Sequence, residues 1–487
     1  MFRDARLNFF RAFGISTAFG TIAFLIAVSL GGLVFKGNPE YLSDLQNNDN
    51  PDARGYSLLA KNLSLHGKFS KAESLQPDPN RTPGYPLFIV MTNGISNPTR
   101  LYLVQCCLFG LSVALLVRLA RNLFGLLAGC VAGVFLLVDE SNYPQCWHAM
   151  TEIPSFFMLV LAITLLDWPR NGDLRLISTP RLIIASACMA IAVIMRPIYT
   201  VCAFLPALTH MFSLLIVEKQ QPGTSPFFAR LSFRNLIPMV SYCVIPFSML
   251  FGWTLRNYLL FGLFMYTPIS NHNIVYMVGS AAFEERFSIN KAEAQEMIAN
   301  KYNLPTCHSL QNAYSDTSLS IYEMEKRLNS KRYEVVFQYP RHLCIALIKG
   351  LVITFKSHGI GDWFRLIAPR EDDFTVSISN IKSGFENFSV LDRVLAIVLW
   401  ASHFLWLGLA CLSLLGFLIW IKDERISLVQ VNILSWFLYG LFTCLMFGMH
   451  GVPRSRMILI PLFTLSLGYL VMSKLQRRNG EPAGVAQ

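Results

Sequence analysis

Long apolar runs alternate with short polar stretches along most of the 487-residue chain. A helix of about 20 apolar residues spans the hydrocarbon core of a bilayer, so these runs predict membrane-crossing helices. One predicted span opens at Thr151, and the others cover residues 14–35, 101–116, 124–138, 182–195, 198–217, 236–251, 394–421, 427–449 and 457–472. The pattern predicts an all-α polytopic membrane protein with about ten transmembrane helices.

The polar stretches divide the chain into three parts. Residues 1–258 form an N-terminal transmembrane module, and its first long polar loop covers residues 36–86. Residues 259–392 follow as the one sizeable region outside the membrane. Residues 393–487 hold the last spans and a short polar tail.

The middle region, residues 259–392, has no uninterrupted apolar run of sufficient length for a span. Amphipathic helices are predicted over residues 284–301 and 319–337. The apolar segment 343–355 is short, which suits an interfacial or re-entrant position better than a crossing.

Charge decides the orientation and removes one class of partner. Only 15% of the residues are charged, against about 25% in soluble domains. The net charge of +11 comes largely from basic residues in the two tails and in short loops such as 168–181 and 218–234. Because such residues mark the cytoplasmic side, segments 36–86 and 259–392 are expected outside. The placement of the basic charge argues against nucleic acid as a partner.

Charged residues collect at the outer ends of the predicted spans, where they are functional candidates by default. A carboxylate there can accept a proton from a hydroxyl nucleophile, and arginine grips phosphate with a planar fork of donors. The candidates are Asp52, Arg81, Glu152, Arg196, Arg256, Arg454 and Arg456. No group of residues has clear metal-ligand spacing, so a divalent cation stays open.

Each candidate also has a plainer interpretation. Asp52 can be an incidental charge in a solvated connector, and Glu152 can cap its own helix. Arg256, Arg454 and Arg456 can each anchor a span end to lipid headgroups.

Several short motifs follow one another in a fixed order along this topology. They are Asp52-x-x-x-Tyr56, Arg81-Thr82-Pro83-Gly84-Tyr85-Pro86, Thr151-Glu152-x-Pro154, Arg196-Pro197, Trp253-x-x-Arg256-Asn257-Tyr258, and Arg454-x-Arg456 before Pro461. Each motif is weak alone, but together they resemble integral-membrane GT-C glycosyltransferases. The similar group includes protein O-mannosyltransferases and lipid A aminoarabinose transferases.

The resemblance implies a polyprenyl-phosphate sugar donor and an inverting transfer outside the membrane, with Asp52 at the position of the catalytic aspartate. The acceptor is a glycolipid, a polysaccharide or a protein, and the expected location is a bacterial inner membrane with the site facing outward. The chain has Asp52-Ala53 where the mannosyltransferases have Asp-Glu, which weakens a protein acceptor. It also has Arg81 where the aminoarabinose transferases have a lysine before paired prolines. Those transferases carry a larger soluble C-terminal domain as well.

These expectations assign a role to every candidate. Asp52 is the general base, and Glu152 holds a cation or orients the acceptor. The donor-binding residues are Arg256, Arg454 and Arg456 at the phosphate, Arg196 beside them, and Arg81 and Tyr85 positioning the loop or the sugar.

Two other functions fit a chain of this composition. The first is a transporter or flippase for a lipid-linked sugar, which would place its charges near the bilayer midplane, in related halves of the chain. No such repeat is evident, and the charges gather at one face. The second is a non-catalytic scaffold, which does not explain why Asp52, Arg81 and Arg454 share a side.

Overall fold

In the computed structural model, helices joined by turns and loops make up the described part of the chain. This part comprises residues 2–37, 45, 51–71, 75–166, 174, 177–216, 233–305, 321–356, 390–423, 428–447 and 457–478. The predicted all-α class is confirmed for these residues. No strand occurs among them.

The described residues of the N-terminal module include ten α-helices. They are α1 (Phe2–Gly37), α2 (Pro51–His66), α3 (Gly84–Met91), α4 (Pro98–Phe124), α5 (Leu126–Leu137), α6 (Asn142–Cys146), α7 (Glu152–Leu165), α8 (Thr179–Met195), α9 (Thr200–Ile216) and α10 (Phe233–Phe261). Helix α4 is central, because α1, α5 and α7 all pack against it. The short apolar helix α3 precedes the second long apolar helix, α4.

The predicted outer-face region, residues 259–392, contains the following elements among its described residues: α11 (Ile269–Asn273), a π-helical turn (Ile274–Gly279), α12 (Ser280–Phe287), α13 (Lys291–Tyr302), α14 (Ile321–Val336) and α15 (Pro340–Lys356). The prediction of one amphipathic helix over residues 284–301 is wrong. Ser288 lies in the left-handed region with φ 54° and ends α12. Asn290 and Glu293 then form a capping box that starts α13.

The second amphipathic helix, predicted over residues 319–337, is confirmed as α14. A bend of 92° separates α14 from the apolar helix α15. A sharply bent pair of this kind is a broken span or a re-entrant loop. A re-entrant loop would match the prediction for segment 343–355 and a broken span would not, so the interfacial or re-entrant position stays a prediction.

The C-terminal part supplies α16 (Val390–Asp423), α17 (Leu428–Phe447) and α18 (Ile460–Arg478), as the pattern predicts. In the described residues, four helices are long and apolar enough to cross a membrane: Gly14–Gly32, Pro98–Phe124, Asn235–Phe261 and Trp400–Trp420. Shorter apolar helices of 10–17 residues accompany them. The predicted number of about ten spans requires that these shorter helices cross as well, and it stays a prediction.

Helix α1 is held tightly against the bundle. A Cβ on Gly110 of α4 would lie 2.7 Å from the Gly20 carbonyl oxygen, so the two backbones touch without intervening side chains. Farther along α1, the Trp147 indole Nε1 donates to the Ala27 carbonyl at 2.8 Å. Both contacts fix the base of the loop that follows α1.

Candidate active site

A carboxylate, a phenol and a guanidinium meet at the start of α2. Asp52 lies in the first turn and Tyr56 one turn later, so the spacing of four residues puts both on one helix face. Arg81 forms an ion pair with Asp52. Its Nη1 also lies 3.5 Å from the Tyr56 hydroxyl, and its guanidinium sits 5.1 Å from the centre of the Tyr56 ring. The Asp52–Arg81 ion pair therefore connects the start of α2 with the turn before α3.

A second ion pair joins Glu152 and Arg196. Glu152 is the first residue of α7, Arg196 follows the last residue of α8, and these two helices pack together. The Glu152 Oε1 and Arg196 Nη1 atoms are 3.4 Å apart. The Glu152 side chain is almost wholly buried, so its charge depends on such a partner.

Tyr56 stands within electrostatic reach of both ion pairs. Burial raises the pKa of its hydroxyl above the ordinary value. Arg81 and Arg196 act to lower that pKa, and Asp52 and Glu152 act to raise it. Four of the residues singled out in the sequence therefore belong to one charged cluster.

Gly84 explains how the cluster is assembled. A Cβ at this position would lie 2.6 Å from both the Ile194 carbonyl oxygen and the Met195 amide nitrogen. Only glycine lets α3 approach the end of α8 so closely. The turn that carries Arg81 is thereby docked beside Arg196.

Tyr85 is buried and reaches the cluster with its ring, which packs edge to face on Tyr56 at 5.2 Å between centroids. Its hydroxyl donates to Gln105 Oε1 at 2.8 Å. Gln105 in turn donates to the carbonyls of Cys146 and His148, each at 3.0 Å. Sequence reasoning missed Gln105, although a fully buried amide within an apolar span is a visible signal.

Arg256 lies against the backbone of the turn before Arg81. Its Nη1 donates to the Asp78 carbonyl and to Asn257 Oδ1, both at 2.8 Å. The guanidinium also faces the Trp253 ring, 4.6 Å from its centre. These contacts give Arg256 protein partners, while its predicted contact with the donor phosphate stays a prediction.

The outer-face region contacts the same turn. The Thr267 hydroxyl donates to the Asn80 carbonyl at 2.6 Å. His272, on α11, lies within range of the Arg81 charge: burial lowers the pKa of His272, and Arg81 lowers it further. The site therefore lies between the first outer loop and the start of the outer-face region.

Another buried contact between polar side chains lies outside this cluster. His403 of α16 approaches Glu140, with 2.9 Å between Nδ1 and Oε1. The neighbouring Ser402 hydroxyl donates to the Val138 carbonyl at 2.8 Å. The two contacts tie α16 to the turn after α5.

Arg454 and Arg456 fall outside the described residues. Among the described residues, no group of three or more His, Cys, Asp or Glu side chains could hold a metal ion. An apolar cavity of about 490 Å³ lies elsewhere, between α15, α16 and α17, with Leu351, Leu407 and Phe437 in its wall.

No family model matches the chain, and no curated protein matches it. The solved structures similar to it include two crystal structures of ArnT from Cupriavidus metallidurans, one in the apo state and one bound to undecaprenyl phosphate. Each shares 13% sequence identity and covers 94% of this chain, and the match covers 78% and 79% of the respective ArnT chains. The TM-score is 0.35 in both cases.

Proposed function

We propose that this protein is a membrane glycosyltransferase of the GT-C class, which transfers a sugar from a polyprenyl-phosphate donor to a hydroxyl acceptor at the outer face. The observation that carries the proposal is the cluster of Asp52, Arg81, Glu152 and Arg196 at the ends of apolar helices. Two carboxylates and two guanidiniums there match a reaction that needs a base and a phosphate clamp. The order of the motifs along the chain supports the same class.

Arg81 is the proposed anchor of the donor phosphate. Its guanidinium is charged: burial alone would lower its pKa, but Asp52 and Tyr56 raise it above the ordinary value. A lipid phosphate offers several charged oxygens in a geometry that a guanidinium grips with two parallel hydrogen bonds. Arg196 belongs to the same cluster and adds positive charge near the phosphate, and Arg454 and Arg456 are further candidates for contact with it.

Donor binding changes the partner of Arg81. In the structure its guanidinium is engaged by Asp52, so a phosphate has to compete with that carboxylate. When the guanidinium turns to the phosphate, an Asp52 oxygen becomes available to an acceptor hydroxyl. Asp52 thus serves as a base only when donor is present, which limits futile hydrolysis.

The chemical step is a direct displacement at the anomeric carbon. The acceptor oxygen bonds to this carbon, and its proton passes to Asp52. The bond between the carbon and the phosphate oxygen breaks, with its electron pair leaving on the lipid phosphate. Arg81 stabilises that charge, and attack from the opposite face inverts the configuration.

The remaining members of the cluster orient the reactants. Glu152 holds Arg196 and orients the acceptor or a divalent cation. The Tyr85 ring packs edge to face on the Tyr56 ring, and the Arg81 guanidinium lies over the Tyr56 ring. The protein works in the membrane of a cell envelope, with a lipid, glycan or protein as acceptor.

The test uses purified protein in detergent with a small panel of polyprenyl-phosphate sugars and a mixture of envelope acceptors. D52N is expected to lower turnover by roughly 10²–10⁴-fold, because the amide cannot accept the proton. E334Q is the matched control, since Glu334 belongs to an exposed ion pair with Lys331.

Wild-type turnover in D52N would overturn the role of Asp52. Movement of a labelled lipid-linked sugar across proteoliposomes, with no glycosylated product from any donor, would favour the flippase instead.

A further inference from the structure

Asp78 was not singled out in the sequence, yet its side chain is nearly inaccessible. Its Oδ1 atom accepts from the backbone amides of Asn80 and Arg81, at 2.8 and 3.0 Å. Its Oδ2 atom lies 2.8 Å from the Lys71 ammonium. One carboxylate therefore folds the turn that leads directly into Arg81.

The backbone of Asp78 is held as firmly as its side chain. Its amide donates to the Phe69 carbonyl at 2.9 Å, and its carbonyl accepts from Arg256 Nη1 at 2.8 Å. The Phe69 ring packs edge to face on Trp253, with 5.2 Å between centroids. The turn is thus attached both to the stretch after α2 and to the end of α10.

The charge state of Asp78 suits this arrangement. Burial alone would raise its pKa, but the Lys71 ammonium and the hydrogen bonds lower it below the ordinary value. The carboxylate is therefore ionised at neutral pH. A buried charge is costly unless hydrogen bonds or ion pairs satisfy it. Here two backbone amides and the Lys71 ammonium contact the Asp78 carboxylate, and Arg256 donates to the Asp78 backbone carbonyl.

We propose that Asp78 is a positioning residue that fixes the backbone of Arg81 so that its guanidinium can pass from Asp52 to a lipid phosphate. The proposal rests on the function proposed above. Arg256 acts through the same turn, because its Nη1 atom donates to the Asp78 carbonyl and its guanidinium lies over the Trp253 ring. Arg256 is then a second positioning residue and not an independent phosphate ligand.

The experiment measures binding of a long-chain polyprenyl phosphate without sugar to the full chain in detergent, together with turnover. D78A should weaken binding by about 10–100-fold, because misplacing a gripping group by about 1 Å costs up to about 100-fold. D78N should recover most of this loss, since its amide oxygen still accepts from the two backbone amides. A purely structural role predicts equal losses of thermal stability and of active fraction, with the affinity per folded molecule unchanged.

A double-mutant cycle with R256Q tests the second half of the proposal. If both residues act through the turn, the loss in D78A/R256Q equals the larger single loss. Losses that multiply would show that Arg256 meets the phosphate independently and would overturn its assignment. If D78A does not fold, D78E replaces it in the cycle, because its longer side chain cannot keep the carboxylate in the same place beside the two backbone amides. Wild-type affinity in D78E together with a weakened R256Q would overturn the shared role.

The outcomes separate this inference from the proposed function. If the wild-type protein binds the lipid phosphate as weakly as R81Q does, the proposed donor site itself is contradicted. Binding by wild type that R81Q weakens and D78A leaves unchanged would overturn only the role of Asp78. G252A is the control, because a Cβ at Gly252 would meet open space.

Discussion

The site contains two carboxylate–guanidinium pairs of the same chemistry in different surroundings. In the Asp52–Arg81 pair the side chains are 32% and 19% exposed, whereas Glu152 in the other pair is 1% exposed. A partly exposed pair is worth little in stability and separates easily. A buried pair is costly to break because the remaining charge loses its partner. Exposure therefore suggests that the first pair exchanges partners during the reaction and that the second keeps the site in shape.

The sharpest way to break this comparison is to remove the buried carboxylate. Glu152→Ala leaves Arg196 without its partner, and we expect a loss of about 3–5 kcal/mol in the free energy of unfolding. Chemical denaturation in detergent measures it, with Asp52→Ala as the counterpart in the exposed pair. The exposed pair should lose no more than about 1 kcal/mol. Equal losses at both positions would remove the distinction.

A buried carboxylate outside both pairs, Glu325, sharpens the contrast. Burial raises the pKa of Glu325 to about 7, although a hydrogen bond from Asn271 lowers it. Between pH 4.5, the ordinary value, and pH 7 the folded protein keeps a proton that the unfolded chain has lost. Stability should therefore fall as the pH rises through this window, by about 3 kcal/mol.

Glu325→Gln should remove this part of the pH dependence. Thermal unfolding at several pH values between 4 and 8 is the measurement, and Glu323→Gln on the exposed side of the same helix is the control. An unchanged slope in Glu325→Gln would show that Glu325 is not the titrating group. Asp78 should act with the opposite sign, losing its contribution only as the pH falls below its ordinary pKa of 3.8.

The contact that brings the two pairs together can be loosened separately. Gly84→Ala places a methyl group against the backbone at Ile194 and Met195. Such overpacking costs about 1–3 kcal/mol, and it should lower turnover further because Arg81 moves relative to Arg196. Thermal unfolding and turnover are compared with Gly252→Ala, where a Cβ meets open space. Equal behaviour of the two variants would show that α3 can be displaced without harm.

The smallest effect is also the most specific to partner exchange. If Asp52 competes with phosphate for Arg81, then Asp52→Asn should bind a polyprenyl phosphate about two- to fivefold more tightly than wild type, since a partly exposed pair is worth up to about 1 kcal/mol. The same variant is nearly inactive, so affinity and turnover move in opposite directions. Weaker binding by Asp52→Asn would refute the exchange while leaving the general-base role intact.

The residues of this candidate site that could be found from the sequence are those at a helical spacing or at the end of an apolar run. Asp52 and Tyr56 are four residues apart on a helix, and Glu152 and Arg196 mark the ends of neighbouring apolar runs. Asp78 escaped prediction because two of its partners are backbone amides, which leave no mark in the sequence pattern. Gln105 is visible as an amide within an apolar run, but the backbone carbonyls to which it donates are not. The same contrast holds for the helices. Apolar runs were recognisable by their length, but the break between α12 and α13 depends on the left-handed backbone of one residue, Ser288.

The close crossing of Gly20 and Gly110 has an entropic consequence for the site. These glycines lie on the helices before and after the loop that carries Asp52 and Arg81, so their contact closes that loop at its base. The cost of closing a loop grows only slowly with its length. The helix pair therefore restricts the loop before any charged group has met its partner, and a bulky residue at position 20 would widen the range of conformations from which the site has to assemble.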